Sequence, residues 1–407
     1  MSSQELLSSP ELTDIRSPLD LDKFKKFLAT VSPKSSKIHY GHNADIPKTF
    51  SNVRQFKFGQ SNPTYLFVTP EGRKFVLRRK PSPNSELISK SAHAVEREFH
   101  ILNSINVLNS GSKYKVPVPK VHLLCEDESA VGYVFYLMDY VNGIQIKNPD
   151  MPGFSQEDKK LYWKSIIETF AAIHLLDVEK LISLLPKEHF PQFQNIEKLK
   201  NTSYFVRQVK TLNNIHKLQS KHVPEIPHFN KLTSWLLEHA PQDPDKLTLI
   251  HGDLKIDNVL FDAKTKTVIG VLDWELTTIG NPLFDLANFL QGFSLPNKLN
   301  RLIYQPQETD IGLENKASQK FVYDRLQDYQ RLVTWSKDPK NNPVDYWPVG
   351  VLFGLLRLCV ISQGIAMRVV LGNASSAQAS SFASMYPVLS DLALDVINSS
   401  RKLQSSL

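Results

Sequence analysis

Cysteine is scarce in this chain: 407 residues contain two, Cys125 and Cys359. Each stands in an apolar stretch without a C-x-x-C neighbour, which argues against a disulfide or thiolate-metal framework and fits a reducing compartment. A leader is not expected either. The first twenty residues carry Glu5, Glu11, Asp14 and Asp20 against Arg16, the wrong charge for a mitochondrial presequence. Long apolar runs are absent. The most apolar window, Val349 to Ile361, is interrupted by Arg357 and falls short of the ~20 residues a bilayer span needs, so a buried helix and no membrane span are expected. With no Arg-rich tract and no zinc-finger spacing, nucleic acid is not an expected partner. Repeats and low-complexity tracts are missing too. A cytoplasmic location is expected. The C-terminal Ser405-Ser406-Leu407 departs from the peroxisomal Ser-Lys-Leu address by one residue, so the peroxisome is the alternative, with a frayed polar tail the preferred reading.

What is present is enough apolar material for a sizeable core, 41% hydrophobic and 10% aromatic residues, and a net charge of +7. That length suits one two-lobed enzyme or two domains. A basic surface with scattered charges favours small anionic ligands.

The densest chemistry is LIHGDLKIDNVLFDAKTKTVIGVLDWE, residues 249–275. Asp253 is followed five residues on by Asn258 and twenty on by Asp273, at the end of an apolar run. ATP-dependent phosphoryl transfer needs a carboxylate to accept the hydroxyl proton, and an amide oxygen with a second carboxylate to hold Mg²⁺ on the phosphates. Asp-x₄-Asn is also the catalytic-loop spacing of protein kinases, although those place Arg where Gly252 stands. Gly252 permits a tight turn before Asp253. Val259-Leu-Phe261, a polar turn at 262–266 and Val268-Ile-Gly-Val-Leu272 read as a hairpin that delivers Asp273. His-Gly-Asp alone is a common surface turn; the ordered set is what argues for a kinase-type site.

Upstream, Leu19 to Val31 has helical spacing, 34–48 reads as a linker, and strands are predicted over Val53–Phe58, Tyr65–Val68 and Phe75–Arg79. Gly59-Gln-Ser-Asn62, with Gly59, Ser61 and Asn62 small or polar, occupies the place of a nucleotide-covering loop. On the third strand Arg78 takes the position of the phosphate-contacting base, and an Arg can fork onto phosphate and carboxylate together. Its expected partner is Glu98, in a helix over His93–Leu102, with Glu96 as competitor. Val131–Tyr140 reads as a strand ending at a hinge, where Asp139, Tyr140 and Val141 would offer backbone groups to adenine. Helices are predicted over Glu157–Leu176, Asn201–Ala240 and Trp347–Leu371, with a helical insertion over 295–345. His174, on an apolar face, reads as a core histidine.

These motifs resemble the aminoglycoside phosphotransferase-like family of small-molecule kinases, whose HGDxxxxN and DWE hallmarks are intact here. The resemblance is nearest to the kinase-like domain that precedes the dehydrogenase in acyl-CoA dehydrogenase family members 10 and 11. It is carried by Gly59–Tyr65, Phe75–Pro81, Leu272–Leu276, Gly280-Asn-Pro282 with Asp285-Leu286, and Gln363-Gly364 with Arg368, and spans about residues 21 to 395. Phe58 replaces the first of two glycines usual in the subgroup's loop. A stand-alone kinase module is expected, since no dehydrogenase sequence follows.

The resulting expectation is an α+β, protein-kinase-like two-lobed fold: a Ser-rich, disordered tail at 1–20, a β-rich nucleotide lobe at 21–141 and a helical lobe at 142–407. Asp253 is the expected base; Asn258 and Asp273 hold Mg²⁺; Gly59, Ser61, Asn62, Arg78, Glu98, Asp139 and Val141 serve ATP; His251, Glu275 and Asp285 brace the site. The subgroup implies a hydroxy acid or hydroxyacyl-CoA as acceptor, and Arg207, Arg357 and Arg368 are the candidate contacts to such an anion. Choline-, homoserine- or aminoglycoside-type kinases and a non-catalytic pseudokinase are the alternatives. No Ala-Pro-Glu segment for docking a peptide follows Asp273. Oligomeric state is not legible.

Overall fold

The computed structural model describes residues 12–17, 19–32, 35–57, 62–81, 94–304, 311–372 and 379–405. Apolar residues alternate along the N-terminal strands, and the chain resolves that pattern into one antiparallel sheet. Its strands are β1 (Leu12–Thr13), β2 (Ile38–Tyr40), β3 (Asn52–Phe56), β4 (Thr64–Val68), β5 (Lys74–Arg79), β6 (Val121–Cys125) and β7 (Phe135–Asp139), in the order β1-β3-β4-β5-β7-β6-β2. Period two puts Tyr65, Phe67, Phe75, Leu77, Leu123, Cys125, Phe135 and Leu137 in one buried cluster. Helix α1 (Leu21–Thr30) covers that face with Phe24 and Leu28, one turn apart, and starts where the Asp20 carboxylate accepts the Lys23 N–H at 2.9 Å. The Phe24 ring lies 5.1 Å from Phe67 and 5.4 Å from Phe135. Helix α2 (Val95–Asn109) brings Phe99 against Tyr136, with ring centroids 6.2 Å apart.

Two expectations change. The tail at 1–20 contributes β1, which pairs Leu12 with Phe56 and Thr13 with Gln55, and the Gln55 amide oxygen accepts the N–H groups of Arg16 and Ser17 at 2.7 and 2.9 Å. The linker at 34–48 contains β2, paired with β6 on the opposite edge. Both strands are short, and their pairing is by backbone, which polar composition does not forbid. Within 131–140, Val131 ends the short helix Glu128–Val131, and Gly132 (φ 94°) turns the chain before β7 begins.

The chain divides into two compact units, 1–194 with 251–277, and 195–250 with 278–407. The expected boundary after residue 141 falls inside the first unit. That unit also contains the helix Gln156–His174 and the hairpin Val259–Phe261 and Val268–Val271, which takes Ile144–Gln145 as a third strand. His174 is buried at the end of that helix.

The second unit is helical. Tyr204–Gln219, Phe229–His239, Leu283–Leu290, Trp347–Val370 and Tyr386–Ser405 share a core that includes Leu212, Phe229, Leu236, Phe284, Phe353, Leu356 and Leu389. The last of these helices was not anticipated. Trp347–Val370 runs 24 residues, longer than its most apolar stretch suggests and long and apolar enough to cross a membrane; 67% of its most apolar window is buried here.

Candidate active site

Local chemistry shapes the loop at 251–258. Gly252 has φ 86°, and a Cβ there would sit 2.3 Å from the Leu276 carbonyl oxygen. Glycine is therefore required twice over, by conformation and by space. Gly252→Ala is expected to lower stability by roughly 1–3 kcal/mol and to displace Asp253. A urea midpoint unchanged from the parent would contradict this.

Next to it, His251 is wholly buried. Its Nδ1 accepts the Asp253 N–H at 3.2 Å, and Nε2 lies 2.8 Å from the Leu272 carbonyl oxygen. One imidazole thus ties the loop to the residue before Asp273, and the Leu272 N–H donates back to the Asn258 carbonyl at 2.9 Å. Asn258 donates from Nδ2 to the Asp253 carbonyl oxygen at 2.9 Å and its Oδ2 at 3.4 Å, which turns its own amide oxygen the other way. Asp273 has φ 64° and ψ 56°. Left-handed backbone is uncommon for a non-glycine residue and clusters at functional sites.

From the sheet, β5 presents Arg78 to three carboxylates. Its guanidinium is 2.9 Å from Glu98 Oε1, 2.5 Å from Asp273 Oδ1 and 3.5 Å from Glu275 Oε2. The competitor Glu96 pairs with Lys80 instead. Burial opposes charge on Arg78, but Glu98 and Asp273 outweigh it and hold the group well above the usual arginine range. Glu98 is pushed up by burial, which Arg78 only partly offsets. For Asp273, burial is overcome by Arg78, and its carboxyl lies below the usual range. Glu275 rises to about 7 through burial, against the pull of Arg78 and with help from Glu98 and Asp273. Asn62 is buried and donates from Nδ2 to Glu275 Oε2 at 3.2 Å; its Oδ1 has no hydrogen bond among the described residues. Gly59 and Ser61 lie outside the described residues.

At the expected hinge, the Asp139 and Tyr140 N–H groups donate to the Lys120 and Lys74 carbonyls at 2.8 and 3.2 Å. The Val141 carbonyl accepts the Gly143 N–H at 3.0 Å. Each of these two N–H groups thus closes a bond within the sheet unit. The Asp139 carboxylate meets His122 Nε2 at 2.8 Å.

Lys255 and Asp257 escaped the sequence reading. The Lys255 ammonium lies 3.5 Å from Asp253 Oδ2 and 3.7 Å from Asp257 Oδ2. Burial disfavours its charge, but Asp257, Asp253 and Asp273 hold it above the ordinary lysine value. A cation two residues after the proposed base was the available signal.

The second unit separates the remaining candidates. Arg207 donates to the carbonyls of Thr202 and, at 2.8 Å, Ile279. It also lines a cavity of about 180 Å³ whose wall mixes Lys200 and Lys246 with Asp243 and Asp245. Arg357 lies over the Phe284 ring at 4.6 Å and donates to Asn288 Oδ1 at 3.2 Å. Arg368 stands eleven residues further along the same helix, about 16 Å away at 1.5 Å per residue. Arg207 is thus engaged by backbone carbonyls, and Arg357 and Arg368 stand about three turns apart on one helix. Asp285 is wholly buried in the first turn of Leu283–Leu290.

Known proteins share this architecture. The model of the phosphotransferase enzyme family matches residues 52–329. Acyl-CoA dehydrogenase family member 10 of Mus musculus is 32% identical over 342 residues, 84% of this chain and 29% of that protein. A putative aminoglycoside phosphotransferase from Ralstonia eutropha is 26% identical, with TM-score 0.67 over 94% of this chain and 99% of its own. An ADP-bound aminoglycoside phosphotransferase shares the fold at 13% identity, with TM-score 0.50 over 92% of this chain and 97% of its own. The fold is thus that of the kinase-like phosphotransferases, α+β with a β-rich N-terminal part and a helical remainder. The chain belongs to the phosphotransferase enzyme family. It spans less than a third of the length of the mouse relative.

Proposed function

We propose that this chain transfers the γ-phosphoryl group of ATP to a hydroxyl of a small molecule. The observation that carries the reading is the join of Arg78 to both Glu98 and Asp273, with Asp253 and Asn258 on a loop bonded to the strand end that presents Asp273. Family membership and the ADP in the distant structural neighbour support the choice of nucleotide.

Asp253, with 32% of its side chain exposed, takes the proton of the acceptor hydroxyl. The oxygen–phosphorus bond forms as the bond to the β-phosphate oxygen breaks, and ADP leaves with that electron pair. Lys255 balances charge beside the base, and the Arg78 fork steadies phosphate oxygens while Glu98 fixes its direction. The donor set suits Mg²⁺, a hard cation that takes one or two carboxylates and other oxygens: the half-exposed Asp273 carboxylate and the outward Asn258 amide oxygen would hold it. When bound, the ion neutralises charge on the phosphates.

For the acceptor we propose a hydroxy acid or hydroxyacyl-CoA. Support comes from the similarity to a protein named for acyl-CoA dehydrogenation and from the net charge of +7. The measurement is ADP release with Mg²⁺-ATP over a panel of hydroxy acids, hydroxyacyl-CoAs and amino alcohols. The expected result is the highest kcat/KM with an anionic member. Preference for a cationic amino alcohol would overturn the acceptor class, and no ATP consumption with any acceptor would overturn the transfer.

A further inference from the structure

Away from Asp253, three histidines and a glutamate from distant parts of the chain converge in the first unit. His39 lies on β2, His100 on α2, Glu126 directly after β6 and His189 before the short helix Pro191–Phe193. Glu126 Oε1 is 2.8 Å from His39 Nε2 and 3.2 Å from His189 Nε2. The His100 ring sits between the other two imidazoles, 5.3 Å from each by centroid, edge-on to His39 and stacked on His189. One ligand atom each from His39, His100 and Glu126 falls within 4.8 Å of the others.

Two imidazoles bridged by one carboxylate would by themselves be a satisfied polar group. His100 is what that account leaves over. It is only 8% exposed, and its Nε2 is buried with no hydrogen-bond partner among the described residues. Native structures rarely leave such an atom unpaired without a water, an ion or a function to explain it. Glu96 and Glu188 add negative potential at His189.

The geometry points to a divalent transition-metal site of the Zn²⁺ class, ligated by His39, His100 and Glu126 with His189 as the fourth donor. Nitrogen with one carboxylate oxygen is a Zn²⁺ donor set, and four such groups suit its tetrahedral preference. Ligand bonds of about 2.0–2.1 Å place donor atoms about 3.3 Å apart in a tetrahedron, so the approaches of His39 and His189 to Glu126, 2.8 and 3.2 Å, are already near that spacing and His100 must move inward. His39, Glu126 and His189 keep 30%, 20% and 21% of their side chains exposed, which leaves a path for the ion. Nothing here belongs to the phosphoryl-transfer centre, whose donors are oxygens. The link to that centre is mechanical: α2 carries His100 two residues beyond Glu98, so an ion that ties β2, α2, the exit of β6 and the 189 loop together would restrain the helix that holds Arg78.

The test uses the full chain, stripped of metal and kept in excess Mg²⁺ so that oxygen-only sites are filled. Co²⁺ is titrated and followed by its visible bands, which are intense for a tetrahedral nitrogen site. One equivalent is expected to produce those bands, Zn²⁺ to abolish them, and Zn²⁺ to raise Tm by mass action. His100→Ala and Glu126→Gln are each expected to weaken binding at least tenfold, the size that even outer-shell partners of a metal carry. His39→Gln, on the partly exposed strand, repeats the test where folding is least at risk, and circular dichroism of each metal-free variant checks the fold. Asp273→Ala is expected to leave the bands in place. No tetrahedral bands, bands undiminished in His39→Gln and His100→Ala, or bands lost in Asp273→Ala would each overturn the site.

Discussion

Asp253→Asn is expected to lower kcat by about 10²–10⁴-fold while nucleotide affinity stays near that of the parent, because general-base catalysis contributes on that scale. The substitution keeps the size of the side chain. Its backbone carbonyl still accepts the Asn258 amide at 2.9 Å, and its N–H still donates to His251 Nδ1 at 3.2 Å. The loop therefore has no reason to unfold. What disappears is an ionised oxygen able to take the hydroxyl proton, and with it one of the two carboxylates beside the Lys255 ammonium, 3.5 Å away. A thousandfold loss corresponds to about 4 kcal/mol of transition-state stabilisation. Single-turnover phosphoryl transfer and ADP affinity, measured side by side, separate the two effects. Turnover within a few-fold of the parent would remove Asp253 from the mechanism.

Arg78→Met should act on stability as much as on turnover. Glu98 has 2% of its side chain exposed and relies on Arg78 at 2.9 Å for compensation of its charge. Burial already pushes its carboxyl above the usual range. Removing the cation leaves that acid to be buried alone or protonated, and breaking a buried pair by deleting one partner costs on the order of 3–5 kcal/mol. Asp273 loses the same neighbour, but its half-exposed carboxylate can be solvated, so most of the penalty should come from Glu98. Arg78→Met with Glu98→Gln is therefore expected to recover much of the lost stability without recovering turnover. Urea unfolding of the two single variants and the double variant gives the coupling directly. Additive effects would show that the two residues do not act as a pair.

The reason these positions could be read from sequence is that their geometry is nearly local. Gly252, Asp253 and Asn258 occupy seven consecutive positions, and two of the bonds that shape the loop run between residues two and five apart. The hairpin that delivers Asp273 is a short alternating pattern around a polar turn, with Val259 opposite Val271. The alternation of Tyr65, Phe67, Phe75 and Leu77 likewise announces strands with one buried face. Helices with a marked apolar stripe, such as Leu21–Thr30, announce themselves in the same way.

Other features needed the fold. Glu96 and Glu98 are chemically equal in the sequence; α2 against the sheet decides that Lys80 meets the first and Arg78 the second. Strands β1 and β2 are only two and three residues long, and only the edges of an existing sheet give their backbones partners. The three arginines looked alike until their neighbours were known: carbonyls for Arg207, an aromatic face and an amide for Arg357.

His39, His100, Glu126 and His189 span 150 residues with no recognisable spacing, and the chain brings them together only because β2 pairs with β6 while α2 packs beside them. Composition and short-range spacing therefore determined the chemistry of the phosphoryl-transfer loop, since its functional groups and the bonds between Asp253, His251 and Asn258 lie within a few residues. Tertiary packing decided which distant charges are paired and which imidazole nitrogen has no hydrogen-bond partner among the described residues. Those outcomes depend on burial and on contacts between segments far apart in the chain, which no local pattern specifies.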